Sequence, residues 1–374
     1  MERTYGIMLI GCGHIGLEHL ADIYHRPGIS IKAVIDTNEQ RAKQAAARCV
    51  GAVAATDYRT FLKQKEIDIV IVATYADSHC SIAKDCLRHH KHVLCEKPIA
   101  TSLQEGKSFV NAVRAAKEKV LISHILRHNQ SFQKIKELID SDAIGQLRLM
   151  RMTQNHHAID WARYCRLMKD CSPTVDCGVH YYDLAQWISG SPITTVTGFG
   201  TKTQPDAPRD NYTFVTFTMA NGCTGFYEAG WGQALRSSNV KEFIGTKGRI
   251  TLQMRADRIQ DREEGDLITV YRSDTGTYKT INVSCEYKAM FAQLQVLIDM
   301  IEQDIPGTPT IEEAYSAFLV SFAADEAITR HTTVAVDSTV GSLIRQFHSG
   351  VPPVKTLQSV LGDTVSNGYT PIQR

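Results

Sequence analysis

The sequence predicts an α/β fold, with an amino-terminal doubly wound parallel sheet followed by a carboxy-terminal α+β domain whose sheet is mainly antiparallel. Three observations predict it. An apolar run, Ile7 to Ile10, leads directly into Gly11-Cys-Gly13-His14-Ile15-Gly16 and then a helical segment. Apolar, β-branched runs alternate with helical segments up to about residue 125, the pattern of a parallel sheet covered on both faces. From about Gly145 the texture changes to alternating apolar and polar residues broken by Gly, Asn and Asp, as in a sheet with one buried face.

The first stretch separates into physical roles. Gly11 allows a tight strand-to-helix turn, Gly13 lets a pyrophosphate approach the backbone, and Gly16 lets the helix pack on the strand. The helix that begins there offers free N–H groups and a positive dipole end to phosphates. A second apolar run, Ile31 to Ile35, ends at Asp36, which lies 20 residues beyond Gly16. A carboxylate there would accept hydrogen bonds from an adenosine ribose. Thr37 and Asn38 follow it, with no arginine directly after to receive a 2′-phosphate, so NAD rather than NADP is the expected cofactor.

In chain order, Glu39 to Cys49 reads as a helix, Ala52 to Ala55 as a short strand, and Thr56-Asp57 as the cap of a small helix holding Phe61 and Leu62. Ile67 to Ala73 is a fully buried strand, Ser78 to His90 a helix, His92 to Cys95 a strand, Leu103 to Lys117 a helix and Val120 to Ile125 a strand. Beyond Gly145, strands are expected at 147–154, 194–201, 212–219, 223–229, 249–254, 267–271 and 279–283. Helices are expected at 176–188, 287–303 and 311–330, the last with Thr310 and Glu313 as a capping box. The expected division is 1–125, 126–348 and a polar tail, 349–374.

The chain has 374 residues and a formal charge of +1, enough for two domains with ample cores. It has no basic block, so nucleic acid is not an expected partner. It has no apolar run of about 18 residues and no leader-like start, so no membrane association is expected and the protein reads as soluble and cytoplasmic. The ten cysteines include no Cys-x-x-Cys pair, and the even spacing of Cys165, Cys171 and Cys177 matches no zinc pattern. Free buried thiols and no metal site are expected.

Three groups of residues could do chemistry. Glu96-Lys97-Pro98 follows a strand at the carboxyl edge of the first sheet, where ligands bind in such folds. Lys97 could donate to a substrate hydroxyl, with Glu96 holding the ammonium or meeting the cofactor ribose; a solvated pair at a strand end would look the same. In Asp176-x-Gly178-x-His180-x-x-Asp183, helical spacing puts the two carboxylates and the histidine on one face. There His180 could take a proton near neutral pH; an incidental histidine on a polar face is the alternative. The third group is His124, Arg127, His128, Asn155, His156 and His157, near the crossing between domains. Adjacent residues of a strand face opposite ways, so His156 and His157 cannot both serve one pocket.

These motifs, in this order, resemble the glucose–fructose oxidoreductase/inositol dehydrogenase (Gfo/Idh/MocA) family over about residues 4 to 340. The resemblance implies an amino-terminal Rossmann domain and an α+β domain whose open sheet makes homo-oligomer contacts, as a dimer or tetramer. It implies Lys97, Asp176 and His180 as the catalytic set. Gly11, Gly13, His14, Ile15, Gly16, Asp36, Thr74, His79, Glu96 and Lys97 would lie at NAD. Arg127, Asn155 and His157 would join the catalytic set at the substrate. The segment Ala73-Thr74-Tyr75-Ala76 departs from the family's Ala-Thr-Pro-Asn, which removes the usual asparagine contact to the cofactor. The implied activity is NAD-dependent oxidation of a ring secondary alcohol in an inositol, sugar or glycoside, with C3 of a glucosyl ring as the specific expectation. Family members that cleave glycosides through transient oxidation by retained NAD, and non-enzymatic NAD-binding regulators, are the alternatives. The regulators tend to lack the catalytic set present here.

Overall fold

The computed structural model describes residues 3–254, 265–284 and 288–336. The expected tail beyond residue 348, and Cys285, lie outside them. The first sheet is built from β1 (Tyr5–Ile10), β2 (Ile29–Ile35), β3 (Val53–Ala55), β4 (Ile69–Val72), β5 (His92–Cys95) and β6 (Val120–Ile122). Their order is β3-β2-β1-β4-β5-β6 and every pairing is parallel. The strand order reverses between β1 and β4. The loops after these two strands therefore leave in opposite directions and open a crevice at the carboxyl edge. The helices α1 (His14–Ile23), α2 (Glu39–Ala46), α3 (Ala76–Arg88) and α4 (Leu103–Ala115) are the crossovers. Every residue of β1 and β4 is buried, which explains their unbroken apolar sequences.

The second part begins with α5 (Gln130–Asp140) and the long strand β7 (Leu147–His157), followed by α6 (Trp161–Asp170), α7 (Pro173–Asp176) and α8 (Gly178–Ser189). The strands β8 (Ile193–Thr201), β9 (Tyr212–Met219), β10 (Thr224–Gly232), β11 (Ser238–Gly245), β12 (Gly248–Gln253), β13 (Asp266–Arg272) and β14 (Thr277–Val283) come next. Two helices, α9 (Met290–Gln303) and α10 (Ile311–Arg330), and the short β15 (Val334–Ala335) follow. The nine strands run β14-β13-β12-β11-β7-β10-β9-β8-β15. All pairings are antiparallel except β7 with β10.

One face of this sheet is packed. Phe132 and Ile135 of α5, Tyr181, Tyr182 and Leu184 of α8, and Val320 and Ala324 of α10 form one core with Met150, Met152, Tyr227 and Phe243. The other face carries Phe199, Phe214 and Phe226 in a stacked row, with ring centroids 5.4 and 4.9 Å apart. Helix α10 joins the two parts, since Ala314 and Phe318 near its start belong to the core of the first sheet. Its capping box is present as expected. Helix α9 returns to the first sheet, where Leu294, Leu297 and Ile298 pack with Leu20 and Ile23 of α1.

Besides the two-residue β15, three elements were not expected from the sequence. In β11 a lysine, Lys241, occupies an inward position and is fully buried, which breaks the apolar alternation that marks a strand. In α6 only Met168 is buried, so its sequence reads as a polar loop. The third is α5, whose apolar stripe is short. The predicted helix from Asp176 is two pieces, α7 and α8, meeting at Cys177. The nine described cysteines are all free thiols. Among the described residues no helix is long and apolar enough to cross a membrane.

Candidate active site

The glycine loop after β1 has the geometry its sequence suggests. Gly11 has φ +99°, and a Cβ on it would lie 2.4 Å from the carbonyl oxygen of Ala73. A Cβ on Gly16 would lie 1.8 Å from the carbonyl oxygen of Gly11, so the helix could not sit so near the loop. Gly13 differs: nothing lies within 4 Å of a Cβ placed there. It is the N-cap of α1, with no side chain capping the helix. The first N–H groups of α1 thus face open space beside bare backbone, which fits a pyrophosphate. Asp36 accepts from Cys12 N and Asn38 N, each at 2.8 Å, which ties the loop to the end of β2 and leaves carboxylate lone pairs for ribose hydroxyls. His14 is exposed on α1, with Nε2 3.3 Å from Lys288 Nζ, and Ile15 is half-buried beside it.

Two other residues expected at the cofactor, His79 and Glu96, are buried. His79 is buried, with Nδ1 2.8 Å from the Pro98 carbonyl and Nε2 3.1 Å from that of Thr74. It fastens the loop after β4 to the turn after β5. Thr74 is half-buried and its Oγ1 accepts from Ser78 Oγ at 2.7 Å. Glu96 is also buried, and it holds neither the Lys97 ammonium nor a surface position. It accepts from Ser123 Oγ at 2.7 Å and meets His19 Nε2 at 2.8 Å. Burial would raise its pKa, but His19, Ser123 and Lys97 outweigh burial and bring it down to about 2. Since His19 lies on α1, this contact latches the glycine-loop helix to the Glu-Lys-Pro turn.

Lys97 crosses from the first part to the second. Its Nζ donates to the carbonyl oxygen of Asp176 at 2.9 Å and to Oδ1 at 3.0 Å. Burial works against the ammonium, yet the Asp176 carboxylate more than compensates and raises the Lys97 pKa. Lys97 is therefore a fixed cation and donor, not a base. Asp176 closes α7, a turn set by Pro173 at its start and by Ser172 Oγ accepting from Val175 N at 3.3 Å. On α8, burial holds His180 well below the usual histidine pKa, and Lys97, His124 and Lys288 push the same way. Its Nδ1 is buried and has no hydrogen-bond partner among the described residues. The imidazole is thus neutral and able to accept a proton.

The side chains expected around this group have other partners in the structure. Among the described residues, Asp176 is bonded by Lys97 and Asp183 by Arg127, and neither is hydrogen-bonded to His180. Arg127 is held by carboxylates. It is 3 % exposed, bonds both Asp183 oxygens at 2.8 and 2.7 Å and reaches Glu313 at 3.0 Å. Asn155 and His157 lie on the outward face of β7. Asn155 donates to Glu228 at 2.5 Å and to Ser238 at 3.2 Å, and His157 is exposed beside the Leu235 carbonyl. Their neighbours Gln154 and His156 face inward instead. Gln154 accepts from the buried Tyr227 hydroxyl at 3.1 Å. His156 lies with Tyr164 of α6, ring centroids 6.2 Å apart, and burial lowers its pKa while Asp176 opposes that. The signal that could have found His156 is register: with Met150 and Met152 inward, period two brings His156 to the same side. A cleft of about 560 Å³ between α3 and α6 is lined by Tyr75, Asp77, Cys165, Arg166 and Lys169 among others. Arg166 lies over the Tyr75 ring at 4.8 Å.

Residues 5–124 match the family described as "Oxidoreductase family, NAD-binding Rossmann fold", and residues 132–251 match the GFO/IDH/MocA C-terminal domain. The chain belongs to the Gfo/Idh/MocA family. Its relatives include inositol 2-dehydrogenase 2 of Saccharopolyspora erythraea, 30 % identical over 257 residues, 67 % of this chain and 73 % of that one. The myo-inositol 2-dehydrogenase of Thermotoga maritima is 22 % identical over 340 residues, 90 % of this chain and 99 % of that one. Among solved structures, scyllo-inositol dehydrogenase from Lactobacillus casei with bound NAD(H) and scyllo-inositol matches with a TM-score of 0.73 at 21 % identity. That match covers 89 % of this chain and 99 % of that one. As a Gfo/Idh/MocA protein, the chain is an NAD-dependent oxidoreductase acting on CH–OH groups.

Proposed function

We propose that the protein oxidises a secondary alcohol on a hydroxyl-rich ring to a ketone, with an inositol as the leading substrate and a glycoside, oxidised at C3 of a glucosyl ring, as the second. The observation that carries this reading is the Lys97–Asp176 pair, 3.0 Å apart, with Lys97 near enough for its charge to act on His180. In this reading the carboxyl edge of the first sheet holds the cofactor and the packed face of the second part holds the substrate. Lys97 donates to the reacting hydroxyl and stabilises negative charge as it grows on that oxygen. Asp176 holds the Lys97 ammonium in place. His180 takes the hydroxyl proton; with Nδ1 sealed off, Nε2 is the nitrogen available to substrate. NAD, when bound, supplies the hydride acceptor. His156 replaces His157 as the β7 residue that we place at the substrate. The inositol preference is supported by relatives named inositol 2-dehydrogenase.

The test is a panel of myo-inositol, scyllo-inositol, glucose and glucosides with NAD or NADP, following reduced cofactor and product mass together. A ketone matched one for one by NADH supports the reading and names the substrate. A free aglycone with no reduced cofactor would assign the chain to bond cleavage by retained NAD. We further propose a homo-oligomer, a dimer or tetramer, joined through the sheet face that carries Phe199, Phe214 and Phe226. Sedimentation should show more than the 41.6 kDa of one chain, and Phe214→Glu should return it to that mass; a monomer at micromolar concentration would contradict it.

A further inference from the structure

A dinucleotide brings a doubly charged pyrophosphate, and the glycine loop meets it with little positive charge of its own. From Gly11 to His25 the chain has no lysine or arginine. The N-terminus of α1 is open, with no acidic residue in its first turn and no capping side chain, but such an end amounts to only about half a unit charge. Asp36, bonded to Cys12 N at 2.8 Å, adds a carboxylate beside the loop. A full positive charge arrives from the second part of the chain. Lys288, just before α9, has Nζ 3.3 Å from Nε2 of His14, the first residue of α1. Glu18 lies 3.8 Å from the same nitrogen. The start of α9 is itself tied to α1: Phe291 N donates to Asp22 Oδ2 at 2.7 Å, and the Arg26 guanidinium lies 4.6 Å over the Phe291 ring. The charge of Lys288 also reaches His180. Lys288 is thus near both the phosphate-binding turn and the proton acceptor, the stretch that a bound dinucleotide has to cross.

We propose that Lys288 is a cofactor-binding residue: its ammonium pairs with the pyrophosphate of NAD beside the N-terminus of α1, so that the dinucleotide is held by both parts of the chain. A lysine ammonium can only donate, so its contact with His14 requires a neutral ring with Nε2 accepting. That bond is the weaker alternative. A phosphate oxygen offers a charge-assisted bond in its place, and the flexible lysine stem lets Nζ exchange one for the other. A cation beside a helix N-terminus is unfavourable by itself, and an anion between the two removes the repulsion. Lys97, the other lysine whose charge acts on His180, is committed to Asp176 and cannot take this role. The anchoring of α9 on α1 places Lys288 without any closure of the two parts. The inference requires NAD at the glycine loop, and it is independent of which alcohol is oxidised.

The test is calorimetric binding of NAD, ADP-ribose and adenosine to the full chain, with no alcohol present. Lys288→Met keeps the stem and removes the charge. It should weaken NAD and ADP-ribose alike, by about tenfold or more, the loss expected for one bond to a charged group. Adenosine, which has no phosphate, should bind within about twofold of its wild-type affinity. Lys288→Arg keeps a cation and should recover most of the loss. Added salt should weaken NAD binding more steeply in wild type than in Lys288→Met, because an ion pair is screened and the remaining contacts less so. If Lys288→Met unfolds, Lys288→Gln is measured in its place with the same expectations. NAD bound as tightly by the neutral variant as by wild type would overturn the proposal. So would an equal loss for adenosine, which would make Lys288 a support of the fold rather than a partner of phosphate. Because no substrate is used, failure of the inositol or glycoside panel leaves this result untouched.

Discussion

Lys97→Met should lower kcat by roughly a hundred- to a thousandfold while the protein stays folded and still binds NAD. The magnitude is that of removing one fixed donor to a developing oxyanion. Methionine keeps the length and the apolar stem of lysine, so the space left behind is small. What disappears is the ammonium that bonds Asp176 through two oxygens, at 2.9 and 3.0 Å. Asp176 is then left without its cation, but its side chain is 22 % exposed and water can replace part of the bond. For this reason the expected damage is to chemistry rather than to folding. Lys97→Arg should not restore the rate, because a planar guanidinium cannot place its donors where the compact ammonium sits. Cofactor titration by fluorescence and steady-state kinetics on the substrate found in the panel check both halves. A kcat within tenfold of wild type would remove Lys97 from the chemistry.

Arg127→Met should instead destabilise the fold, by about 3–5 kcal/mol, because it strips one partner from a buried ion pair. Asp183 is 1 % exposed and bonded by Arg127 through both oxygens, and Glu313 on α10 takes a third bond from the same guanidinium. One side chain thus joins the segment after β6 to α8 and to α10, the helix shared by both cores. Burial acts against the Arg127 charge, but Asp183 and Glu313 outweigh it and raise its pKa. The stabilisation is therefore present across the neutral range. Urea unfolding should show a lower midpoint. A substrate-binding arginine predicts the opposite pattern, with KM raised and the midpoint unchanged, and that result would return Arg127 to the substrate.

The particular residues show why some of the site was legible in the sequence and some was not. The glycine loop could be read because its requirements are local: a positive φ at Gly11, a close approach at Gly16 and open backbone at Gly13 each exclude a Cβ or leave room for a ligand. Asp36 could be read because a strand of known length fixes its distance from the loop. Lys97 and Asp176 were put in one set by recognising two motifs together, but their bond, across 79 residues, was not legible: the sequence offered Glu96 to the ammonium. The failures are failures of partner assignment. Asp183 sits one turn from His180, and local spacing offered it to that ring. A buried guanidinium, 56 residues away in sequence, took it. On β7 the alternation was known but its phase was not; the resemblance offered Asn155 and His157 to the substrate, while the register turns Gln154 and His156 to the face of Met150 and Met152. The phase is set by which methionines enter the core, and that depends on α8 and α10, far along the chain.

The measurement that tests the central claim most directly is label transfer. The ring alcohol identified in the panel is prepared with deuterium on its carbinol carbon and incubated with wild-type protein and NAD. Mass analysis should find one deuterium in each reduced cofactor and one ketone for each of them, with both products lost in His180→Ala. Ketone or free aglycone formed with no deuterated reduced cofactor would contradict the account, because hydride would then not leave the site on a released dinucleotide.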